Sequence, residues 1–221
     1  MPTSDYQNWK GERLPSVTQI LDQTWPKPGL IEWANREGLA GRSHTVVRDH
    51  LARVGTLAHA LVFAEMGGPA VGEKEEGAYS EEARQAARIP YFHARTWFKN
   101  LGALGGESAL FVEQPMIHAR FGFGGTPDWY GILDIDNGGP KYTVLDLKTG
   151  RQFVEHGVQL AAYAELLRAN GHVVEQAVAL YAPRTIRGTA NHTRWRGEGL
   201  KAITEAWAAV LQLYRMRTII G

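Results

Sequence analysis

In the run Val144-Leu145-Asp146-Leu147-Lys148-Thr149-Gly150 a carboxylate and an ammonium stand two residues apart in a stretch that reads as a β-strand. Side chains alternate along a strand, so Asp146 and Lys148 share one face while Leu145 and Leu147 point to the other. Near a strand end such a pair suits two tasks. The carboxylate can hold a hard divalent cation through oxygen, and the lysine can orient a water or stabilise negative charge developing on a phosphoryl group. Asp128, in Gly125-Thr126-Pro127-Asp128 near the end of the preceding strand, supplies a second carboxylate if the two strands pair. One carboxylate binds Mg2+ poorly, whereas two facing each other form a site. Taken alone, Asp146 and Lys148 equally describe a surface ion pair of little worth.

Three further features bear on that choice. His59 lies at the flank of an apolar helical stripe, with Gly55 one turn before it. A neutral imidazole there could complete a metal site and the glycine could admit a substrate backbone; a hydrogen-bonded packing histidine fits the same position. Gln159 and Tyr163 fall at i, i+4 on the helix after Lys148 and share a face, either to serve the strand end or to tie the helix to the sheet. Glu113, inside an otherwise apolar predicted strand, needs a partner if buried, which a metal, a metal-bound water or Lys148 would provide.

These groups sit on a chain of 221 residues, 44% hydrophobic and 21% charged, which is enough for one domain with a substantial core. The longest apolar runs fall far short of the ~18 residues needed to cross a bilayer. Residues 1–15 are polar and lack the apolar stretch of a secretory signal, so the expectation is an intracellular, cytoplasmic protein that does not enter a membrane. With no cysteine, disulfides, thiolate nucleophiles, Cys-type zinc sites and iron–sulfur clusters are excluded. The net charge of +1 hides an uneven distribution: Arg184, Arg187, Arg194 and Arg196 occur with no intervening carboxylate, whereas Glu73 to Glu82 holds five glutamates against Lys74. Such a basic flank, with Trp195 in it, can grip phosphates and stack an unpaired base; an ordinary solvated hairpin with a buried Trp accounts for it as well.

The predicted elements run as follows. Residues 1–15 form an arm, and Ser16 caps a helix over Val17 to Thr24. Helices follow at about Gly29 to Glu37 and His44 to Met66, where Val54, Leu57, Ala58, Leu61 and Val62 repeat at helical spacing. Residues 70–80 read as an exposed loop. A helix capped by Ser80 is interrupted at Pro90 and resumes toward Leu101, with Tyr91 to Phe98 as core. Strands are expected at Ala109 to Ile117, Phe121 to Leu133 and Tyr142 to Leu147, with a turn at Asn137-Gly138-Gly139. A helix over Val154 to Ala169, an internal strand over Val173 to Tyr181, a loop or hairpin to Gly197 and a helix over Leu200 to Arg217 complete the chain. The fold class is α/β or α+β, a central mixed sheet flanked by helices. The expectation is a single domain over 1–221, with a helical part (1–104) carrying His59, a sheet core (105–183) and a basic C-terminal part (184–221).

In order along the chain, His59, Pro127-Asp128, Asp146-Leu147-Lys148 and Gln159 to Tyr163 resemble the PD-(D/E)XK nuclease superfamily. Gly55 to His59 and Asp146 to Gly150 are similar to the G-T-x-x-H and D-x-K-T-G motifs of its RecB-like branch. Leu14 to Leu21 resembles a segment of the mitochondrial genome maintenance exonuclease and related phage nucleases. The resemblance implies a restriction-endonuclease-like core and a DNA exonuclease acting on single-stranded or frayed ends. It implies Mg2+ or Mn2+, one or two ions, held by His59, Asp128, Asp146 and the Leu147 carbonyl, with Lys148 catalytic. Glu113 is the variably placed acid of the family, while Gln159, Tyr163 and Thr149 support the site or contact DNA. Ser16 and Thr18 would offer hydroxyls to phosphate, although Ser16 also has the chemistry of a helix cap. RecB-like relatives often carry a four-cysteine iron–sulfur cluster, which this chain cannot build. The alternatives that remain are a flap or junction endonuclease of the same fold and a non-catalytic nucleic-acid-binding module.

Overall fold

The computed structural model describes residues 5–220; the first four residues of the predicted arm and Gly221 lie outside them. The rest of the arm is a small hairpin in which Gln7 bridges Arg13 and Leu14 N donates to Tyr6 O at 2.7 Å. Asn8 Oδ1 ties its tip by accepting from the amides of Lys10 and Glu12. Helices α1 (Val17–Thr24), α2 (Pro28–Leu39) and α3 (His44–Ala64) follow closely the predicted bounds. Ser16 caps α1 by accepting from Gln19 N. Within residues 70–80, expected as a loop, a short helix α4 (Glu73–Gly77) forms.

Helix α5 (Glu81–Asn100) corrects the expected break, for it runs unbroken through Pro90. An interior proline costs roughly 3 kcal/mol. Here Pro90 sits on the buried stripe Ala83, Ala87, Pro90, Ala94 and Phe98, and packing of α5 along α3 outweighs the lost hydrogen bond.

The next stretch is more broken than its composition suggested. β1 (Ala109–Val112) and β2 (Met116–His118) replace one long strand, because Glu113 adopts a positive φ of 48° and Pro115 follows. β3 (Phe123–Gly125) and β4 (Trp129–Leu133) likewise divide at Thr126-Pro127, where proline has no N–H for a ladder. After β5 (Lys141–Lys148) come α6 (Glu155–Ala169), β6 (Gln176–Tyr181), β7 (Asn191–Arg196) and α7 (Glu198–Ile220). The main sheet has the order β1-β4-β5-β6-β7, parallel between β5 and β6 and antiparallel elsewhere, and β2 with β3 forms a separate ribbon.

One face of the sheet buries Val144, Ala177 and Ala179 beneath α6, α1 and α7. The other buries Leu145, Leu147, Val178 and Leu180 with Phe63 of α3 and Phe98 of α5. The alternation expected of β5 is thus observed, and α6, held between sheet and helices, is buried almost all round. This mixed sheet between helical layers is the restriction-endonuclease-like arrangement. No helix among the described residues is long and apolar enough to cross a membrane.

The hairpin is seated on the ribbon. A Cβ at Gly124 would lie 2.1 Å from Tyr6 Cγ, so the ring rests where only glycine leaves room. Gly124→Ala is expected to expel Tyr6 and to cost about 1–3 kcal/mol. Limited trypsin digestion should then cut faster at Lys10 and Arg13, and an unchanged digestion rate would contradict this seating.

Candidate active site

Strand register brings the acids together. Trp129 pairs with Leu145 in antiparallel β4–β5, so one residue further Asp128 falls across from Asp146. Val112 pairs with Trp129, which sets Glu113 opposite Asp128, and Glu113 N donates to Asp128 O at 3.0 Å. Positions 113, 128 and 146 therefore form one row across three neighbouring strands, spaced ~4.8 Å apart by sheet geometry. Alternation along β5 then puts Lys148 beside Asp146, with Nζ 2.7 Å from Asp146 Oδ2. α3 brings His59 over the row, its Nδ1 3.5 Å from Asp128 Oδ2. α6 supplies Gln159, whose Oε1 accepts from Lys148 Nζ at 2.9 Å and whose Nε2 donates to Tyr163 Oη at 2.8 Å. Gln159 and Tyr163 thus both orient the lysine and tie helix to sheet.

Burial sets the electrostatics. Asp128 and Asp146 are almost fully buried, and desolvation pushes their carboxyl pKa values up to about 7 and about 6, against the pull of Lys148. The same desolvation brings His59 down to about 4, so the imidazole is neutral at pH 7 and its contact with Asp128 is not an ion pair at that pH. Burial also raises the Glu113 carboxyl and lifts the Tyr163 phenol well above its ordinary value.

Among the described residues, no three His, Asp or Glu side chains are drawn together as a ready cage for an ion. Each expected ligand has a protein neighbour: Leu147 N donates to Asp128 Oδ2 at 2.8 Å, His59 Nδ1 is 3.5 Å from the same oxygen, and Lys148 lies on Asp146. The residues nevertheless fit a hard cation. Asp146 Oδ2 is buried, and its one close polar neighbour among the described residues is the Lys148 ammonium at 2.7 Å. Two desolvated carboxylates beside a neutral imidazole are an oxygen-rich donor set that a divalent cation relieves.

The row opens into a cavity of about 1140 Å3 that also takes in Ser16, Thr18, Thr149 and Arg184. Ser16 does both things expected of it, capping α1 and lining the cavity, where its Oγ is 3.0 Å from Thr18 Oγ1. Gly55 also lines the cavity, and a Cβ there would lie 3.0 Å from Thr149 Oγ1, so the glycine lets α3 close on the loop after Lys148. The basic flank is split. Arg184 reaches the cavity and donates from Nη2 to Thr149 Oγ1 at 3.3 Å. Arg187 and Arg196 are exposed and line no part of the cavity. Arg194 pairs with Asp136 at the far end of the sheet. Trp195, opposite Ala177 in the register, packs on Gly157 and Ile203 between α6 and α7 rather than facing a base.

Tyr6, Trp33, Arg151, Phe153 and His156 also line the cavity and were missed. Arg151 and His156 lie close enough to Lys148 in sequence to have been considered. Tyr6 and Trp33 arrive through tertiary folding alone. Burial brings His156 down to about 3, with Lys148 and Lys27 adding to the effect, and its Nδ1 lies 3.3 Å from Tyr181 Oη.

No curated protein matches the sequence. Among solved structures the chain is similar to one named SSO0001, at 17% identity over 74% of each chain with a TM-score of 0.33. It is also similar to an alkaline exonuclease from Laribacter hongkongensis, at 12% identity over 73% of this chain and 98% of that one, with a TM-score of 0.34. Both superpositions are loose. The family model of the PD-(D/E)XK nuclease superfamily matches residues 31–214. That span begins within α2, ends within α7 and takes in every strand of the sheet together with His59, the acidic row and Lys148; the chain belongs to the PD-(D/E)XK nuclease superfamily.

Proposed function

We propose that this chain, acting as one catalytic domain, is a divalent-metal-dependent deoxyribonuclease of the RecB-like branch that works as an exonuclease on single-stranded or frayed ends. The observation that carries the reading is the alignment of Asp128 with Asp146 across β4–β5, with Lys148 2.7 Å from the Asp146 carboxylate. Asp128, Asp146 and His59 would hold Mg2+ or Mn2+, with the Leu147 carbonyl as a further oxygen donor. When bound, such an ion polarises the scissile phosphate and makes a water nucleophilic near neutral pH. Lys148 points its ammonium at the attacking water and at charge building on the phosphate oxygens. Gln159, fixed in turn by Tyr163, limits the directions Lys148 can take. Glu113 adds negative charge at the end of the row and accepts a proton more readily for being buried.

The phosphate backbone is held by Arg184. Its Nε is buried without a partner, no carboxylate among the described residues pairs with it, and burial lowers its pKa. An anion is what this guanidinium lacks. Arg184→Met is expected to weaken DNA affinity about tenfold and to reduce the slope of log K against log salt by about one. An affinity and slope equal to those of the parent protein would remove Arg184 from the phosphate path.

The direct test is digestion of end-labelled single- and double-stranded DNA, and of a closed circle of the same sequence, with Mg2+, Mn2+ or chelator. Metal-dependent loss of linear single strands with the circle intact is expected. Cleavage of the circle makes the enzyme an endonuclease, and salt-sensitive binding with no cleavage under any metal defeats the catalytic reading.

A further inference from the structure

Behind the Tyr6 ring lies a second cavity, of about 430 Å3, between the N-terminal hairpin, the β1–β2 connection and the end of α6. Tyr6 is common to both cavities. Its ring is seated on Gly124 and its hydroxyl is 2.8 Å from Oγ1 of Thr126, two residues before Asp128, so it stands as a fixed partition.

The two sides of this partition differ in charge. The catalytic side carries charge of both signs, Lys148, Arg151 and Arg184 standing with the acidic row of Glu113, Asp128 and Asp146. The far side has no lysine or arginine, and its one carboxylate, Asp5, is 3.3 Å from Arg13. It offers instead neutral amides and aromatic surface: Gln7, Gln114 and Asn170 with Phe111 and His172. Phe111 is backed by Tyr130, stacked at 5.8 Å, and His172 meets it edge-on at 4.7 Å. Asn170 spends its Nδ2 on Ile117 O and Leu166 O, which leaves its oxygen to accept. The exposed side chains of Gln7 and Gln114 make no hydrogen bond among the described residues. Arginines and a lysine around candidate metal-binding carboxylates, on one side of an aromatic divider, suit phosphates. Amides around an aromatic wall, in a volume within the ~300–1,000 Å3 of small-ligand sites, suit a planar heterocycle with donors and acceptors on its edge.

We propose that this second cavity is a subsite for an unpaired nucleobase of the DNA strand whose phosphate lies in the catalytic cavity, with Tyr6 separating the two. The inference rests on the nuclease reading for the identity of the strand. It narrows the substrate to DNA with at least one base free to leave its stack, since a base held in a duplex cannot enter.

The test walks a single abasic residue along a short single-stranded oligonucleotide and measures affinity by fluorescence anisotropy in chelator, where nothing is cut. The parent protein is compared with the double variant Gln7→Ala/Gln114→Ala, whose lost side chains are exposed and unbonded, and with Phe111→Leu. One position is expected to lose about tenfold in affinity, the scale of one base-stacking contact, and that loss is expected to shrink in the double variant at that position alone. A flat profile, or a loss of the same size in the double variant, overturns the subsite. Cleavage of the intact oligonucleotide with Mg2+ or Mn2+, run on the same samples, reads the nuclease proposal separately. Position-specific binding without cleavage keeps the subsite and defeats the catalysis, and cleavage with a flat profile does the reverse. Absence of any DNA binding overturns both.

Discussion

Lys148→Ala is expected to lower the single-turnover cleavage rate by about 10²–10³, the cost of removing one preorganised charge-stabilising group, while DNA affinity stays near that of the parent. The ammonium lies 2.7 Å from Asp146 Oδ2 and is held by Gln159, so it is placed against the acidic row. Arg184 and Arg151 stay in the cavity lining of the variant, so the proposed phosphate contact is kept. A second consequence separates chemistry from binding. Lys148 is the main group holding down the pKa values of Asp128 and Asp146. Without it both carboxyls move further up, and residual activity is expected to need a higher pH. Single-turnover rates across pH at saturating DNA check both parts. Parent-like rates in Lys148→Ala would end the proposed mechanism.

Asp128→Asn should abolish metal-dependent cleavage to a similar extent and yet make the metal-free protein more stable. Desolvation raises the Asp128 carboxyl from its ordinary 3.8 to about 7. A carboxyl raised in the folded state contributes stability that is fully present below pH 3.8 and is lost as pH rises through about 7. The amide carries no charge to desolvate, and its oxygen can still accept from Leu147 N as Asp128 Oδ2 does now. The variant and the parent are therefore expected to differ little near pH 4, with the variant ahead by about 1–3 kcal/mol above pH 7 in chelator. Taking the difference cancels the opposing effect of His59 and His156, which lose stability as pH falls below 6.5 and are present in both proteins. Mn2+ or Mg2+ should raise the parent's Tm at pH 8 and leave the variant's nearly unchanged, because only the parent has the second carboxylate for the ion. Equal metal-induced shifts in the two proteins would show that the cation binds elsewhere.

Both expectations begin from residues that could be picked out before any fold was known. Asp146 and Lys148 had to share a face of β5 because strands alternate, and Gln159 and Tyr163 had to share a face of α6 because helices repeat every 3.6 residues. Ser16 and Ser80 marked helix starts through side-chain oxygens that accept from Gln19 N and Ala83 N. Local patterning erred where packing or backbone strain overruled it. Pro90 remains helical because it lies on the buried stripe of α5, and Glu113 ends β1 because its φ is positive.

What the amino-acid order decided by itself was the set of chemical groups and the faces on which neighbours stand, since alternation and helical repeat act over a few residues. The tertiary structure alone decided the β4–β5 register that sets Asp128 across from Asp146, and the burial that leaves both acids hungry for a cation. It also decided that Arg184 enters the cavity while a half-buried Trp195 packs between α6 and α7, and that Tyr6 stands between two cavities. Those outcomes depend on contacts between segments tens of residues apart, and charge, register and desolvation at such separations are determined by how the layers pack rather than by any short run of the chain.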